Sequence, residues 1–143
     1  MSAFVLDTSI ALKRFLEDEN DRAYSLAILH SLSGEYRPIV PWLWYYEMAN
    51  VLLIQVHRKR VVFEEVKAFL SLIGEMAIDI DAPDKLTVLH LPYLARKYRL
   101  TSYDATFLEL ANCLQLPLAT SDRDLIRAAS ECGLQLLSVA GKN

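Results

Sequence analysis

The sequence predicts a single α/β domain built on a mainly parallel β-sheet. Short apolar runs alternate with longer segments in which apolar residues recur at helical spacing, and this alternation is typical of strands joined by crossover helices. The 143 residues contain no linker, repeat or low-complexity segment, and 53% of them are hydrophobic. That is enough apolar material for one buried core, so we expect one domain over residues 1–143.

The first part of the chain predicts one strand and two helices. The apolar run 3–6 predicts a fully buried strand. Thr8 and Ser9 are favourable N-cap residues, so a helix is expected over 10–16. A second helix is expected over 20–32, where apolar residues recur at helical spacing.

The middle of the chain predicts two strands and two more helices. A short strand over 38–41 is bounded by prolines, and a long helix follows over 42–58. The basic run 57–60 suits the end of that helix, because the helix dipole favours cations there. A helix over 62–75 and a strand over 77–80 come next.

The last part of the chain continues the same alternation. Asp81 is expected to cap the next helix, with Pro83 in its first turn. Apolar spacing predicts the other elements, and Gly133 is expected to end the last helix. They are helices over 84–98, 102–114 and 122–132, and strands over 116–119 and 134–139.

Composition argues against several classes of protein. The net charge of −3 is unusual for a simple nucleic-acid-binding module, which tends to be basic. No uncharged apolar run reaches the roughly 18 residues of a membrane-spanning helix, and no basic-then-apolar leader begins the chain. We therefore expect no membrane association and a cytoplasmic location. Cys113 and Cys132 belong to no metal-binding pattern, so both are expected as buried small apolar residues.

Carboxylates occur where apolar runs give way to helices. Asp7 follows the first predicted strand directly, Asp122 follows the fourth, and Asp104 lies in the first turn of its helix. Functional groups of parallel α/β sheets collect at the carboxyl ends of the strands, so these three acids are expected on one rim. Glu47 adds a fourth carboxylate from a strongly apolar helix, where an isolated charge is costly.

Converging carboxylates repel one another unless a cation lies between them, and a divalent metal ion is the usual cation. Such a site points to an enzyme that cuts phosphodiesters. Simpler roles exist for the members taken singly: helix capping for Asp104 and Asp122, and the solvent face of a helix for Glu47. The combination is more specific than any one of them.

Other polar residues predict no alternative chemistry. Glu109 is expected on a solvated helix face. The three histidines share no motif, so neither a histidine-ligated zinc site nor a Ser/His/Asp triad is predicted. A glycine-rich loop followed by lysine, the signature of a nucleotide-binding P-loop, is missing from the sequence.

Four motifs also carry a resemblance to a known family. They are Leu6-Asp7-Thr8-Ser9, Glu47 with Asn50, Tyr103-Asp104-Ala105, and Leu116-Pro117-Leu118-Ala119-Thr120-Ser121-Asp122 with Leu125. In order and spacing, and over nearly the full length, the chain resembles the PIN-domain ribonucleases. Within them it is most similar to the VapC-type toxins of toxin–antitoxin pairs.

The resemblance implies a three-layer α/β/α sandwich, a homodimer, and a Mg²⁺- or Mn²⁺-dependent endoribonuclease that acts on RNA and is restrained by a VapB-type antitoxin. Hard divalent ions suit an all-carboxylate site. We expect Asp7 and Asp104 as direct metal ligands. Glu47 and Asp122 would bind through water, hold a second ion, or orient the attacking water.

Further residues are expected around this site. Those that would anchor ligands or waters are Ser9, Asn50 and Thr120, with Asp124 as an extra acid. RNA contacts are expected from the cationic run of Arg58, Lys59 and Arg60.

Two alternatives stay open on the sequence. A phosphatase or receiver-type protein would use Asp7 for phosphoryl transfer, but the first needs a second Asp two residues later, where Ser9 stands. The second needs an acidic pair and a catalytic lysine that the sequence does not place. A non-catalytic PIN-like interaction module would keep the fold without cleaving RNA.

Overall fold

A computed structural model of the chain describes residues 2–16, 28, 30 and 34–137, with the backbone alone for 13–16. The strands are β1 (Ser2–Leu6), β2 (Tyr36–Val40), β3 (Asp79–Ile80) and β4 (Leu118–Ala119). The helices are α1 (Thr8–Leu16), α2 (Trp42–His57), α3 (Phe63–Glu75), α4 (Lys85–Tyr98), α5 (Ser102–Leu114) and α6 (Arg123–Glu131). Most of the helix predicted over 20–32 lies outside the described residues.

The four strands form one parallel sheet in the order β3-β2-β1-β4. Val5 of β1 pairs with Ile39 on one side and with Leu118 on the other. The chain therefore builds the sheet outward through β2 and β3 and then returns to the other side of β1. Such a reversal opens a crevice at the carboxyl ends of the two strands that flank it, here β1 and β4.

The segment predicted as a fifth strand, 134–139, contributes one parallel bridge, between Leu136 and Leu118. The bridge extends the sheet beyond β4. Residues 138 and 139 lie outside the described part of the chain, so the end of this predicted strand does too.

Helices cover both faces of the sheet. Phe4, Val5 and Leu6 are consecutive in β1 and all three are fully buried, whereas consecutive side chains of a strand point to opposite faces. Both faces must therefore be packed against other elements, as in a parallel sheet between helical layers. The α/β class, with a parallel sheet in a three-layer arrangement, is confirmed.

Two predicted helix caps are wrong. Thr8 and Ser9 lie inside α1 rather than ahead of it, and their hydroxyls donate to carboxylates instead of capping the helix. Asp84, not Asp81, caps α4: its carboxylate accepts a hydrogen bond of 2.8 Å from the N–H of Thr87. Pro83 precedes that helix instead of lying in its first turn.

The expected burial of the cysteines is also wrong. Cys113 is exposed and Cys132 is half-buried, and both are free thiols. Cys113 lies near the end of α5 on the side that faces solvent, beside the exposed Asn112 and Leu114. Among the described residues, no helix has the length and apolar character needed to cross a membrane.

Candidate active site

Asp7 lies where β1 ends, beside the crevice between β1 and β4. Its backbone N–H donates to the carbonyl oxygen of Ala119 at 2.9 Å, which ties it to β4. The side chain is only 5% exposed. Burial raises the pKa of this carboxyl, and repulsion from Asp122 adds to the rise, while hydrogen bonds from Ser9 and Thr120 oppose it.

Hydroxyl groups hold one oxygen of the Asp7 carboxylate. Ser9 Oγ and Thr120 Oγ1 donate to Asp7 Oδ2 at 2.6 Å and 2.7 Å. Ser9 Oγ in turn accepts from the N–H of Ser121 at 3.1 Å, and Thr120 Oγ1 accepts from the N–H of Asp122 at 3.0 Å. Each hydroxyl is thus oriented by a backbone donor, and together they fix the carboxylate.

Glu47 reaches the same region from α2, which packs against α1. It is half-buried, and its Oε1 accepts a hydrogen bond of 2.9 Å from Thr8 Oγ1. Burial raises the pKa of Glu47 to about 7, with repulsion from Asp7 and Asp104 contributing. Its carboxyl group is therefore not a freely solvated one, and burial favours its neutral form.

Asp104 lies in the first turn of α5 without serving as its cap. That role belongs to Thr101, whose Oγ1 accepts from the N–H of Asp104 at 3.0 Å. Burial raises the pKa of Asp104 to about 6, and repulsion from Asp122 and Asp7 adds to it. The helix N-terminus favours a negative charge and would lower the pKa of Asp104. Desolvation and the neighbouring carboxylates raise this pKa by more.

Asp122 does cap its helix, as the simpler interpretation predicts. Its Oδ1 accepts a hydrogen bond of 3.0 Å from the N–H of Leu125 at the start of α6. The same residue follows β4, across the crevice from Asp7. Asp124 is exposed and forms an ion pair of 2.8 Å with Arg127, so it lies at the margin of the group.

The carboxylates interact electrostatically as one group. Repulsion joins Asp7 to Asp122, joins Glu47 to Asp7 and Asp104, and joins Asp104 to Asp7 and Asp122. Among the side chains that the structure describes, no lysine, arginine or histidine is ion-paired with any of the four. The electrostatic repulsion within the group is therefore left uncompensated by the described protein side chains.

This donor set fits a hard divalent cation. In the described residues, no three His, Cys, Asp or Glu side chains come close enough to form a ready-made metal cage. Mg²⁺ does not require one, since it keeps several waters and takes one or two carboxylates directly. The four acids can supply one or two such carboxylates, and they are partly buried without a described cationic partner. Mn²⁺ accepts the same oxygen donors.

Two sets of predicted residues lie apart from this group. Asn50 is exposed on α2, and in the described part of the chain no hydrogen bond links it to the four acids. Arg58, Lys59 and Arg60 are exposed just beyond the end of α2. The helix rises about 16 Å between Glu47 and Arg58, so the basic run does not contact Glu47 directly.

Two polar residues of the site have roles that the sequence did not predict. Thr8 binds Glu47, a residue 39 positions away, and Ser121 orients Ser9 through its N–H and its hydroxyl. A single sequence contains no signal that would pair Thr8 with Glu47. The hydroxyl run around Ser121 was a visible feature, but it is equally typical of helix capping.

The family of the chain follows from a match of its sequence to the model of the PIN domain, over residues 4–131. The chain belongs to the PIN domain family. All four carboxylates and their hydroxyl neighbours fall within the matched region of this PIN domain. A comparison of the sequence with curated proteins found no match.

Solved structures with a similar fold cover most of this PIN domain. The protein PAE2754 from Pyrobaculum aerophilum has a TM-score of 0.65 at 18% identity, over 89% of this chain and 86% of that one. VapBC2 from Rickettsia felis, in a structure bound to a DNA fragment from the VapBC2 promoter, has a TM-score of 0.61 at 12% identity. The similarity covers 94% of this chain and 97% of that one. At such identities the similarity establishes a common fold.

Proposed function

We propose that this PIN domain is a divalent-metal-dependent endoribonuclease and the toxin of a toxin–antitoxin pair, neutralised by a VapB-type antitoxin. The observation that carries the nuclease proposal is the group of carboxylates around Asp7, partly buried and without a described cationic partner. The toxin proposal is supported by the resemblance of the motifs and by the fold shared with VapBC2.

The proposed roles follow from the contacts of each acid. Asp7 and Asp104 would hold Mg²⁺ or Mn²⁺ directly, with Glu47 and Asp122 beside them. The bound ion would lower the pKa of a water and stabilise negative charge on the phosphate. Ser9 and Thr120 both donate to Asp7 Oδ2, so the other oxygen of this carboxylate would be the one that holds the ion.

Glu47 is the proposed general base. Thr8 holds its Oε1, so Oε2 is the oxygen that would take a proton from the attacking water. Burial and repulsion from Asp7 and Asp104 raise the pKa of Glu47 in the metal-free protein, and a cation held by those two acids would lower it and keep Glu47 ionised to accept the proton. The proton would be released to solvent from the half-exposed side of the carboxyl group.

Cleavage of RNA in the presence of metal tests the nuclease proposal. Wild-type protein is expected to cut mixed cellular RNA with Mg²⁺ or Mn²⁺ and to stop when chelator is added. Asp7→Asn should be inactive, while Glu65→Gln, an exposed acid of α3, should keep full activity. Cleavage that persists in chelator, or in Asp7→Asn, would contradict the proposal.

The remaining parts of the proposal concern partners and location. They are a homodimer, a cytoplasmic site of action, and RNA contact by the basic run of Arg58, Lys59 and Arg60. Sedimentation measures whether the protein is a dimer.

Expression in a bacterial host tests the toxin proposal, since the wild type should arrest growth and Asp7→Asn should not. A neighbouring gene for a DNA-binding antitoxin should restore growth when expressed with it.

A further inference from the structure

A second cleft lies between α4 and α5, apart from the carboxylates of the proposed active site. Leu86, Leu91 and Leu94 of α4 form its apolar wall, and Glu109 of α5 lies within it. A narrower recess continues from the cleft and shares Leu91 and Glu109 with it. The recess is almost entirely apolar, with Pro41 among its lining residues.

Glu109 is not the solvated surface residue that the sequence predicted. It is half-buried, and burial raises its pKa, with repulsion from Asp81 and Asp84 adding to the rise. In the described part of the chain its carboxylate has neither a hydrogen bond nor an ion pair. The carboxylate therefore carries a desolvation cost that no described protein group offsets.

The cleft is separate from the proposed metal site. Glu109 follows Asp104 on α5 by about 7.5 Å of helix and about 140° of rotation, so the two side chains leave different sides of the helix. The acids that act on Glu109 are Asp81 and Asp84, whereas Asp122 and Asp7 act on Asp104. The two acidic regions are electrostatically distinct.

We propose that this cleft binds an arginine or lysine side chain presented by a partner protein. The aliphatic stem would lie on the leucine wall and the cationic head would pair with the Glu109 carboxylate. Long basic side chains bury their methylene groups on apolar surface while the charge keeps a polar partner, so they match both features of the cleft. A nucleic-acid phosphate would be repelled by Glu109, Asp81 and Asp84.

The surface around the mouth of the cleft suits a protein partner. Leu86, Leu89 and Tyr93 are 62%, 62% and 76% exposed, and their spacing places them on one face of α4. Asp84 lies at the N-terminal end of this face, and His90 lines the cleft beside it. Apolar residues next to the partner's cation could pack on this face while the cation enters the cleft.

A pair of peptides that differ only in charge tests the proposal. The probe is the acetylated, amidated pentapeptide Ala-Leu-Arg-Leu-Ala, and its control has citrulline, the neutral isostere, in place of arginine. In chelator and without RNA, the arginine peptide is expected to shift the backbone amide resonances of Leu91, Leu94 and Glu109. It should bind at least tenfold more tightly than the citrulline peptide.

Matched variants identify the carboxylate responsible. Glu109→Gln is isosteric and removes no described hydrogen bond, so it should fold normally and lose the preference for arginine. Glu75→Gln, at an exposed acid at the end of α3, should keep the preference. Since the assay contains neither RNA nor metal, its outcome is independent of the ribonuclease proposal.

Three results would overturn the proposal. One is equal binding of the two peptides, and another is an arginine preference that survives in Glu109→Gln. The third is a stable dimer whose contact covers the cleft, detected if Leu89→Asp converts it to a monomer and sharpens the resonances of Leu91 and Leu94. The face would then belong to a second copy of the chain.

Discussion

Thr120 Oγ1 donates a hydrogen bond of 2.7 Å to Asp7 Oδ2, joining residues 113 positions apart in the chain. Thr120 follows β4 and Asp7 follows β1, and the pairing of Leu6 with Ala119 brings the two strand ends side by side. Hydrogen bonds to a carboxylate favour its charged form. The sheet register thus places Thr120 where its hydrogen bond lowers the pKa of Asp7, against the rise that burial causes.

Replacing Thr120 with valine should weaken metal binding. Thr120→Val keeps the shape of the side chain but removes a donor to Asp7 Oδ2 and the acceptor for the N–H of Asp122. The pKa of Asp7 should rise further, and Mn²⁺ affinity should fall about tenfold, as is usual when the partner of a metal ligand is lost. Isothermal titration calorimetry with Mn²⁺ measures the change.

The matched control is Thr106→Val. Thr106 is also buried, but its hydroxyl donates to the backbone oxygen of Ser102 and not to an acid. Both variants should lose about 1 kcal/mol of unfolding free energy. Equal Mn²⁺ affinity in the two variants would show that Thr120 has only a structural role.

The metal-free protein should become less stable as pH rises from about 4 to about 7. Glu47 and Asp104 have folded-state pKa values of about 7 and about 6, above their ordinary values of 4.5 and 3.8. Between the ordinary and the folded-state pKa of each group, the folded state binds more protons than the unfolded state. Raising the pH through this range therefore favours unfolding. Thermal denaturation in chelator measures the trend.

Glu47→Gln isolates one contribution to that trend. Because Glu47 is half-exposed, solvent screening reduces its expected contribution to about 1 kcal/mol, or about 3 °C in melting temperature for a chain of this size. The variant should therefore melt higher than the wild type at pH 8 and equally at about pH 4, below the ordinary pKa of Glu47. A constant difference between the two proteins at both pH values would contradict the assignment.

Removing the hydroxyl that holds Glu47 should move the pH dependence of RNA cleavage. Thr8→Val deletes a hydrogen bond that lowers the pKa of Glu47, so this pKa should rise. If Glu47 is the general base, the acid limb of the rate profile should shift to higher pH, and the rate at pH 6.5 should fall severalfold. Thr106→Val should leave the limb in place, and an unmoved limb in Thr8→Val would exclude Glu47 as that base.

Neutralising the basic run should change the salt dependence of RNA binding more than the chemistry. Replacing Arg58, Lys59 and Arg60 together with glutamine removes three exposed cations beyond the end of α2. For single-stranded RNA, the slope of log affinity against log salt should become shallower by about 2. Fluorescence anisotropy measures this slope on an Asp7→Asn background, with Lys67→Gln as the control. An unchanged slope would show that the basic run does not contact RNA.

Features that depend on near neighbours in the chain could be predicted from the sequence. The apolar spacing of 102–114 predicted α5 with the bounds Ser102–Leu114, and the apolar run at 3–6 predicted the central strand within one residue. The cap of α4 was misplaced because Asp81 and Asp84 are both plausible caps by residue type. The backbone conformation after β3 determines which of the two caps the helix, and residue type alone does not predict that conformation.

Contacts between distant elements were decided by the tertiary structure alone. The sequence identified Asp7, Glu47, Asp104 and Asp122 as acids that a parallel sheet could bring together. It did not show that Thr8 would bind Glu47, nor that Glu109 would lie half-buried in a cleft. Residue type determines which groups can carry charge or donate hydrogen bonds. Sheet register and helix packing determine which of them meet, because they set the distances between residues far apart in the chain.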